Sequence, residues 1–443
     1  MKNNLRKTIL SNIKPNIENK KEKQDIVHIL LKELNKQKKL LNYNCTFFIG
    51  GSFGKDTDLK DTSDIDIFAK FDTKYDDDKI SNMLEKIIIK SKFQYSKQKG
   101  SRDYFNLEFK QKKFSIKIEI VPVLNIINPK LAKNSTDVSP LHVDFIKKKI
   151  AKNPNLKNEI RLAKQFFKSK KIYGAESYIN GFSGHSIDIL ICYYNTLESL
   201  LNDAKTWKQR KFIDINNFYE SYQSALIKIP SSKISSLILV DPILETRNAA
   251  RALSVENYSK FLVIAKNFDE LRESDFTITK FNLHKTIKSA KKIAKRNKLS
   301  NLFYVFNLDV NNHNNSQDII GSKLLRLNSK LAHHFTEYDF QIFNNEFFID
   351  FSQKTCLFVF FLEHKNIPKL KKIMGPFVYM DSAFHNFIKD KKYYFIKDSR
   401  VYSYQERKIT NINQISNLTK EDCKKMLNKN VEFIKKIKII SYN

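Results

Sequence analysis

Between residues 50 and 68 the chain reads Gly50-Gly51-Ser52-Phe53-Gly54-Lys55-Asp56-Thr57 and then Ser63-Asp64-Ile65-Asp66-Ile67-Phe68. Successive side chains of a strand point to opposite faces, so Asp64 and Asp66 project together while Ile65 and Ile67 pack behind them. A strand with carboxylates on one face and isoleucines on the other needs a sheet covered on its apolar side, reached here through a small-residue turn.

The flanking sequence supplies that sheet and its cover. From Asp25, the residues Ile26, Val27, Leu30, Leu31 and Leu34 recur at helical spacing, and Cys45 to Ile49 is a strand-like run leading into the glycines. The carboxylate strand is expected over Ser63 to Ala69, and a third over Ser115 to Val121. In the third, Ile116, Ile118 and Ile120 share one face and Ser115, Lys117, Glu119 and Val121 the other, which brings Glu119 within reach of the aspartates. The first ~140 residues therefore form a compact α/β domain.

Adjacent carboxylates repel, and a divalent cation removes the conflict, so the pair beside a glycine turn points to bound Mg²⁺. Three carboxylates suffice for two ions, the arrangement suited to nucleotidyl transfer with pyrophosphate as leaving group. Asp-x-Asp by itself is a solvated strand face; the turn and Glu119 together give it a function. In the turn, glycines admit a triphosphate close to the backbone, Ser52 offers a hydroxyl and Lys55 a charge. The segment misses the Walker pattern, which requires Gly-Lys-Ser/Thr.

Beyond Ser139 the pattern is helical, over Pro140 to Ile150, Lys157 to Lys170, Ser183 to Leu201, Asn216 to Ile227 and Val255 to Leu271. It then alternates, with strands expected over Leu302 to Leu308, Asp339 to Phe351, Leu357 to Leu362 and Lys392 to Tyr404, and helices near Leu324 to His333 and Ala383 to Lys389. Lys285 to Lys298 is a basic helical stretch, a solvated face or a phosphate track.

With 443 residues the chain needs more than one core. Its 79 lysines and arginines against 47 acidic residues, a formal +32, point to a polyanionic partner, although lysine-rich composition accounts for part of that excess. Cys45, Cys192, Cys356 and Cys423 are isolated and the nine histidines lack ligand-like spacing, which argues for buried thiols and against disulfides or structural zinc. No segment approaches a membrane span or signal peptide, so a cytoplasmic protein is expected.

The turn, the Asp64 to Phe68 strand and Glu119-Ile-Val-Pro122 resemble the polymerase-beta-like nucleotidyltransferases. Ser139-Pro-Leu-His142, Arg161-Leu-Ala-Lys164, Tyr173-Gly-Ala-Glu176, Gly181-Phe-Ser-Gly184, Asp241-Pro242 and Arg247-Asn-Ala-Ala250 are similar to segments of the archaeal, class I CCA-adding enzymes, as are Gly375-Pro-Phe-Val-Tyr379 and His385-Asn-Phe387. The resemblance implies an α+β multidomain chain. It would comprise a nucleotidyltransferase head at 1–140, a helical neck at 141–272, a body at 273–320 and 393–443, and a tRNA-binding tail at 321–392. The implied partners are the tRNA acceptor arm, CTP and ATP, with a homodimer admitted.

By the same resemblance Asp64, Asp66 and Glu119 hold two Mg²⁺ ions, Ser52 and Lys55 hold triphosphate oxygens, and Ser139, His142, Lys164, Tyr173 and Arg247 contact the nucleotide, Arg247 reading its base. Each neck residue also has a plainer role. Ser139 ahead of Pro140 suits an N-cap, His142 a packed core histidine, Lys164 a solvated lysine, Tyr173 a helix anchor, and Arg247 a local ion pair near Asp241. Three residues depart from the family: Glu119 replaces aspartate, Lys55 replaces arginine, and Asp56 brings a negative charge to the turn. A poly(A) or oligoadenylate polymerase on the same head, or an inactive RNA-binding homologue, is the competing reading.

Overall fold

The computed structural model describes residues 3–60, 62, 64–100, 102–110, 115–278, 282–296, 303–310, 316–351, 353–412, 414 and 434–442. The chain divides into two compact units, Met1–Thr279 and Lys280–Asn443.

The first unit opens with helices α1 (Asn3–Ile13) and α2 (Ile17–Leu40), the latter N-capped by the Asn16 side chain accepting from Asn19 N. Strand β1 (Cys45–Ile49) ends in a single helical turn, α3 (Gly51–Gly54), followed by β2 (Asp64–Phe71), helix α4 (Ile80–Lys90) and strands β3 (Tyr95–Gln98), β4 (Tyr104–Lys110) and β5 (Ser115–Leu124). The five strands form one sheet in the order β1-β2-β5-β4-β3, with β2 and β5 parallel and the other pairs antiparallel. Ile65, Ile67, Ile116, Ile118 and Ile120 are fully buried in a cluster with Leu30 and Leu34 of α2 and Leu84, Ile87 and Ile88 of α4. The expected alternation is present, with Ser63 outside the described residues.

The other sheet face is not wholly polar. Past the carboxylates, Phe68, Val121 and Val123 pack on Val143 of helix α5 (Ser139–Lys152). Helices α6 (Leu156–Ser169), α7 (Gly184–Tyr194) and α8 (Leu197–Ala204), strand β6 (Lys211–Ile213), helix α9 (Tyr222–Lys228), strand β7 (Leu237–Leu239) and helix α10 (Val255–Lys266) complete the unit. Their core centres on Phe166, Phe167, Phe182 and Phe261, and it takes in Ile9, Leu10 and Ile13 of α1.

Three helix expectations are corrected. The run from Ser183 to Leu201 is two helices, because Asn195 adopts φ 64° and Thr196 caps the second by accepting from Ser199 N. From Asn216 to Ser221 the chain is not helical: the Asp214 carboxylate accepts from Asn216 N and Tyr219 N, and Ser221 caps the short α9. Ser139 is the first residue of α5 and not its cap. The cap position falls on Val138, which makes no capping bond, with Pro140 in the first turn.

The second unit contains α11 (Leu283–Arg296), β8 (Phe303–Val310), α12 (Gln317–Glu337), β9 (Ile342–Asp350), β10 (Thr355–Leu362), β11 (Leu370–Phe377), α13 (Asp381–Ile388), β12 (Tyr394–Lys397), β13 (Arg400–Glu406) and β14 (Ile434–Tyr442). One sheet runs β14-β8-β10-β9, packed by Leu324, Leu331 and Phe335 of α12, and a second runs β11-β13-β12. The strand expected over Lys392 to Tyr404 is a hairpin, turned by Asp398 and Ser399 at φ 51° and 57°. The basic helix is present as α11, with 297 and 298 outside the described residues, as is Leu302 before β8. Cys45, Cys192 and Cys356 are buried free thiols, and Cys423 lies outside the described residues. Among the described residues no helix is long and apolar enough to cross a membrane.

Candidate active site

The parallel pairing of β2 with β5 sets the register Asp64 with Lys117 and Asp66 with Glu119. Asp66 and Glu119 therefore sit side by side on the face opposite the isoleucines, with Asp64 two residues along and more exposed. On its other side Glu119 is paired with Asn106 of β4. Burial, then the neighbouring Asp66 and Asp64, push the Glu119 carboxyl up to about 7, and burial likewise raises Asp66.

The turn after β1 is fastened to this strand. Gly50 N donates to Asp66 O at 2.8 Å, Gly54 N to Gly50 O at 2.7 Å and Thr57 N to Ser52 O at 2.9 Å. Gly51 has φ +56°, and a Cβ there would fall 1.6 Å from Asp66 Oδ2. Glycine is required on both counts: the backbone is left-handed and lies directly against the carboxylate. Ser52 is in the same turn, partly buried.

Lys55 leaves the turn toward the helices, where its Nζ meets Asp188 Oδ2 at 2.5 Å. Lys164, on α6, reaches Asp188 Oδ1 at 3.0 Å and donates to Thr57 Oγ1 at 3.1 Å. It is buried, not solvated, and burial lowers its ammonium to about 8 against the pull of Asp188. Burial would raise Asp188, yet Lys164 and Lys55 outweigh it and hold the carboxyl below its ordinary range. Tyr173 lies over the start of α7, its hydroxyl 2.9 Å from where a Cβ on Gly184 would be. Burial, with Asp188, Glu176 and Asp66 nearby, raises the phenol.

The charge of Asp56 does not stand free in the turn. Its carboxylate accepts from Lys20 of α2 at 2.8 Å and from Lys157 and Arg161 of α6 at 2.9 and 3.0 Å. Burial is again outweighed, here by Lys20, Lys157 and Arg161, and the carboxyl is held well below its usual range. Asp56 ties the turn to helices on either side.

His142 and Arg247 meet at a second buried carboxylate. Asp241 Oδ1 is 2.8 Å from His142 Nε2 and accepts from Ile243 N and Leu244 N; Oδ2 accepts from Arg247 at 2.6 Å and lies 3.3 Å from His185 Nε2. The two imidazoles pack with centroids 4.2 Å apart. Burial, then His185, lowers His142 to about 4, which leaves it neutral at physiological pH. His142, His185 and Asp241 bring ligand atoms within 4.8 Å of one another, a set compatible with a divalent ion, although the Arg247 guanidinium lies against the same carboxylate. The local ion pair expected of Arg247 is present, and Arg247 keeps about a quarter of its side chain exposed, 27%. Ser139 is partly buried at the head of α5, one turn from His142.

Asp188, His185 and the role of Asp241 were missed by sequence reasoning. Asp188 is separated from Lys55 by 133 residues, so no local pattern signals the pair. Asp241 was visible as one half of an Asp-Pro dipeptide and as an ion-pair partner for Arg247, but not as the meeting point of His142 and His185.

Comparison with known proteins follows the same division. Residues 158–278 match the model for the second domain of tRNA nucleotidyltransferase, residues 303–441 that for the C-terminal domain of CCA-adding enzyme, and residues 2–135 that for the Second Messenger Oligonucleotide or Dinucleotide Synthetase domain. The chain is 31% identical over 373 residues to a CCA-adding enzyme of Methanococcus maripaludis, covering 82% of this chain and 79% of the relative. It is 32% identical over 360 residues to that of Nanoarchaeum equitans, covering 80% and 82%. Among solved structures, Cid1 poly(U) polymerase bound to Mg 3'-dATP aligns with a TM-score of 0.49 at 14% identity, over 62% of this chain and 98% of that one. E. coli MS115-1 CdnC with ATP aligns at 0.44 and 18%, over 60% and 89%. Sequence identity sustained over about four fifths of both chains, together with the two domain models, establishes that this chain belongs to the CCA-adding enzyme family.

Proposed function

We propose that this chain is a tRNA nucleotidyltransferase that adds C, C and A to the tRNA 3′ end from CTP and ATP, releasing pyrophosphate. The observation that carries the chemistry is the register of Asp66 against Glu119, with Asp64 on the same face and a glycine turn bonded to the Asp66 backbone. The family relationship carries the choice of RNA.

The three carboxylates fit a divalent cation, because hard oxygen donors are gathered on one face where burial and neighbouring negative charge oppose the ionisation of Asp66 and Glu119. Asp64, Asp66 and Glu119 would hold Mg²⁺, in two ions, whose charge favours ionisation of the attacking 3′-hydroxyl and offsets charge on the leaving oxygen. The 3′-oxygen forms a bond to the α-phosphorus, the bond from that phosphorus to the pyrophosphate oxygen breaks, and the hydroxyl proton is lost to water.

The remaining roles belong to the chain itself. Ser52 and the backbone of α3 line the triphosphate with Lys55 and Lys164, and Ser139 and Tyr173 border the sugar. Arg247, held by Asp241 with about a quarter of its side chain exposed, 27%, selects the base by hydrogen bonds that a mismatched base leaves unmade. Affinity for the acceptor arm comes from phosphate contacts of a strongly basic chain.

The test is incubation of the protein and Mg²⁺ with tRNA ending at the discriminator base, with CTP, ATP or both, beside an Asp64→Ala, Asp66→Ala control. Stepwise addition of C, C and A that the control lacks supports the proposal. A-only tails would assign a poly(A)-type activity, and tRNA binding without extension an inactive binder.

A further inference from the structure

Asp188 is fully buried on α7, and its two carboxylate oxygens each take one ammonium, Lys55 from the turn beside the sheet and Lys164 from helix α6. Two cations share this carboxylate in direct contact, with the Asp66 carboxylate acting on both through space, and the two lysine side chains are only 10% and 4% exposed. Two buried ammoniums gathered beside a glycine turn suit an anion that carries more than one charge.

The surroundings indicate where that anion lies. Lys55 follows the turn whose Gly51 touches Asp66, and Lys164 also bonds Thr57 at the end of that turn. Tyr173 sits over Gly184, four residues before Asp188 and on the same face of α7. The cluster thus joins the turn, α6 and the first turns of α7 at a single carboxylate.

We infer that Asp188 is a positioning residue for the nucleotide. It aims Lys55 and Lys164, one from each layer of the unit, at the same polyphosphate and fixes the turn against the helices while doing so. This inference rests on the nucleotidyltransferase reading and adds to it a residue that never touches the substrate. Lysine is a point charge on a flexible stem, so two lysines need an external brace to act together as one phosphate clamp. Asp188 is that brace, and its carboxylate favours the charged form of Lys164, which burial, Lys55 and Lys168 oppose.

The experiment compares wild-type chain with Asp188→Asn, which preserves shape and removes charge. Steady-state KM for CTP, ATP and tRNA is measured, together with calorimetric binding of Mg·CTP and of inorganic tripolyphosphate in the absence of tRNA. The expected result is a rise of about 10-fold or more in KM and Kd for both nucleotides and in Kd for tripolyphosphate, with KM for tRNA within about twofold of wild type. Unchanged nucleotide constants, or an equal rise for tRNA, would overturn the inference. Should Asp188→Asn fail to fold, the same constants are compared between Lys164→Met and the charge-balanced Asp188→Asn, Lys164→Met pair. With Lys164 already gone, Asp188 still braces Lys55, so its loss should raise the nucleotide and tripolyphosphate constants by a further ~3-fold or more, and no further rise overturns the inference. Wild-type chain that binds neither nucleotide nor tripolyphosphate removes the functional reading and this inference together. Wild-type binding unaffected by Asp188→Asn removes the inference alone.

Discussion

Asp66 and Glu119 are register partners across parallel strands that are 53 residues apart in sequence, and Asp66 raises the cost of ionising Glu119, while burial, then Asp64, raises that of Asp66 itself. The charge that chemistry requires is thus unfavourable in the fold without a cation. Asp66→Asn should abolish nucleotide addition by 10³-fold or more, on the order expected when electrostatic organisation is removed, while raising the melting temperature of metal-free protein. Activity assays and a thermal melt in EDTA check both halves; a lower melting temperature contradicts the repulsion argument.

The same repulsion gives a pH dependence. Burial pushes the Glu119 carboxyl up to about 7 in the fold from its ordinary 4.5, so between those limits the native state binds the extra proton. Stability without metal should fall as pH rises from about 4.5 to about 7 on this group's account. Because cation binding displaces that proton, Mg²⁺ affinity should strengthen from pH 6 to pH 8. Glu119→Gln should flatten the stability trend, as melts in EDTA across that range would show.

Gly51→Ala places a methyl carbon where the Asp66 carboxylate now lies, in a left-handed backbone. The backbone term costs about 1 kcal/mol. The displaced carboxylate matters more, since a 1 Å misplacement at a reacting centre costs about 10²-fold. We expect kcat to fall by about that factor with a melting temperature within a few degrees of wild type. Loss of fold in place of loss of rate would argue against the close approach.

Asp241 organises His142, His185 and Arg247 and two backbone N–H groups from 0% exposure. Burial opposes its charge, and the bonds from His142 and His185 overcome that and hold it far below the carboxylate range. Asp241→Asn should destabilise the chain by about 1–3 kcal/mol, the cost of leaving buried donors unmatched. It should also release Arg247 and reduce discrimination between CTP and ATP, readable as the ratio of their kcat/KM values. Destabilisation with unchanged discrimination would separate Arg247 from base selection.

The sequence by itself determined the carboxylate face. Period-two alternation at Ile65-Asp66-Ile67 and Ile118-Glu119-Ile120 is a local property of strands, and burial of the isoleucines leaves the acids only one direction to point. The glycine turn was legible for the same local reason. What tertiary structure alone decided is which charges meet. Asp56 reads as an intruder in a phosphate turn until α2 and α6 bring Lys20, Lys157 and Arg161 to it. Lys55 reads as a free cation until α7 delivers Asp188 from 133 residues away. Helix boundaries at Asn195 and Ser221 turned on a single positive φ and a single cap, which amphipathic spacing does not encode. Periodicity reports the side of an element that faces the core. Partners for a buried charge are chosen by the packing of elements distant in sequence, where ionisation is unfavourable without a counter-charge and the fold must supply one.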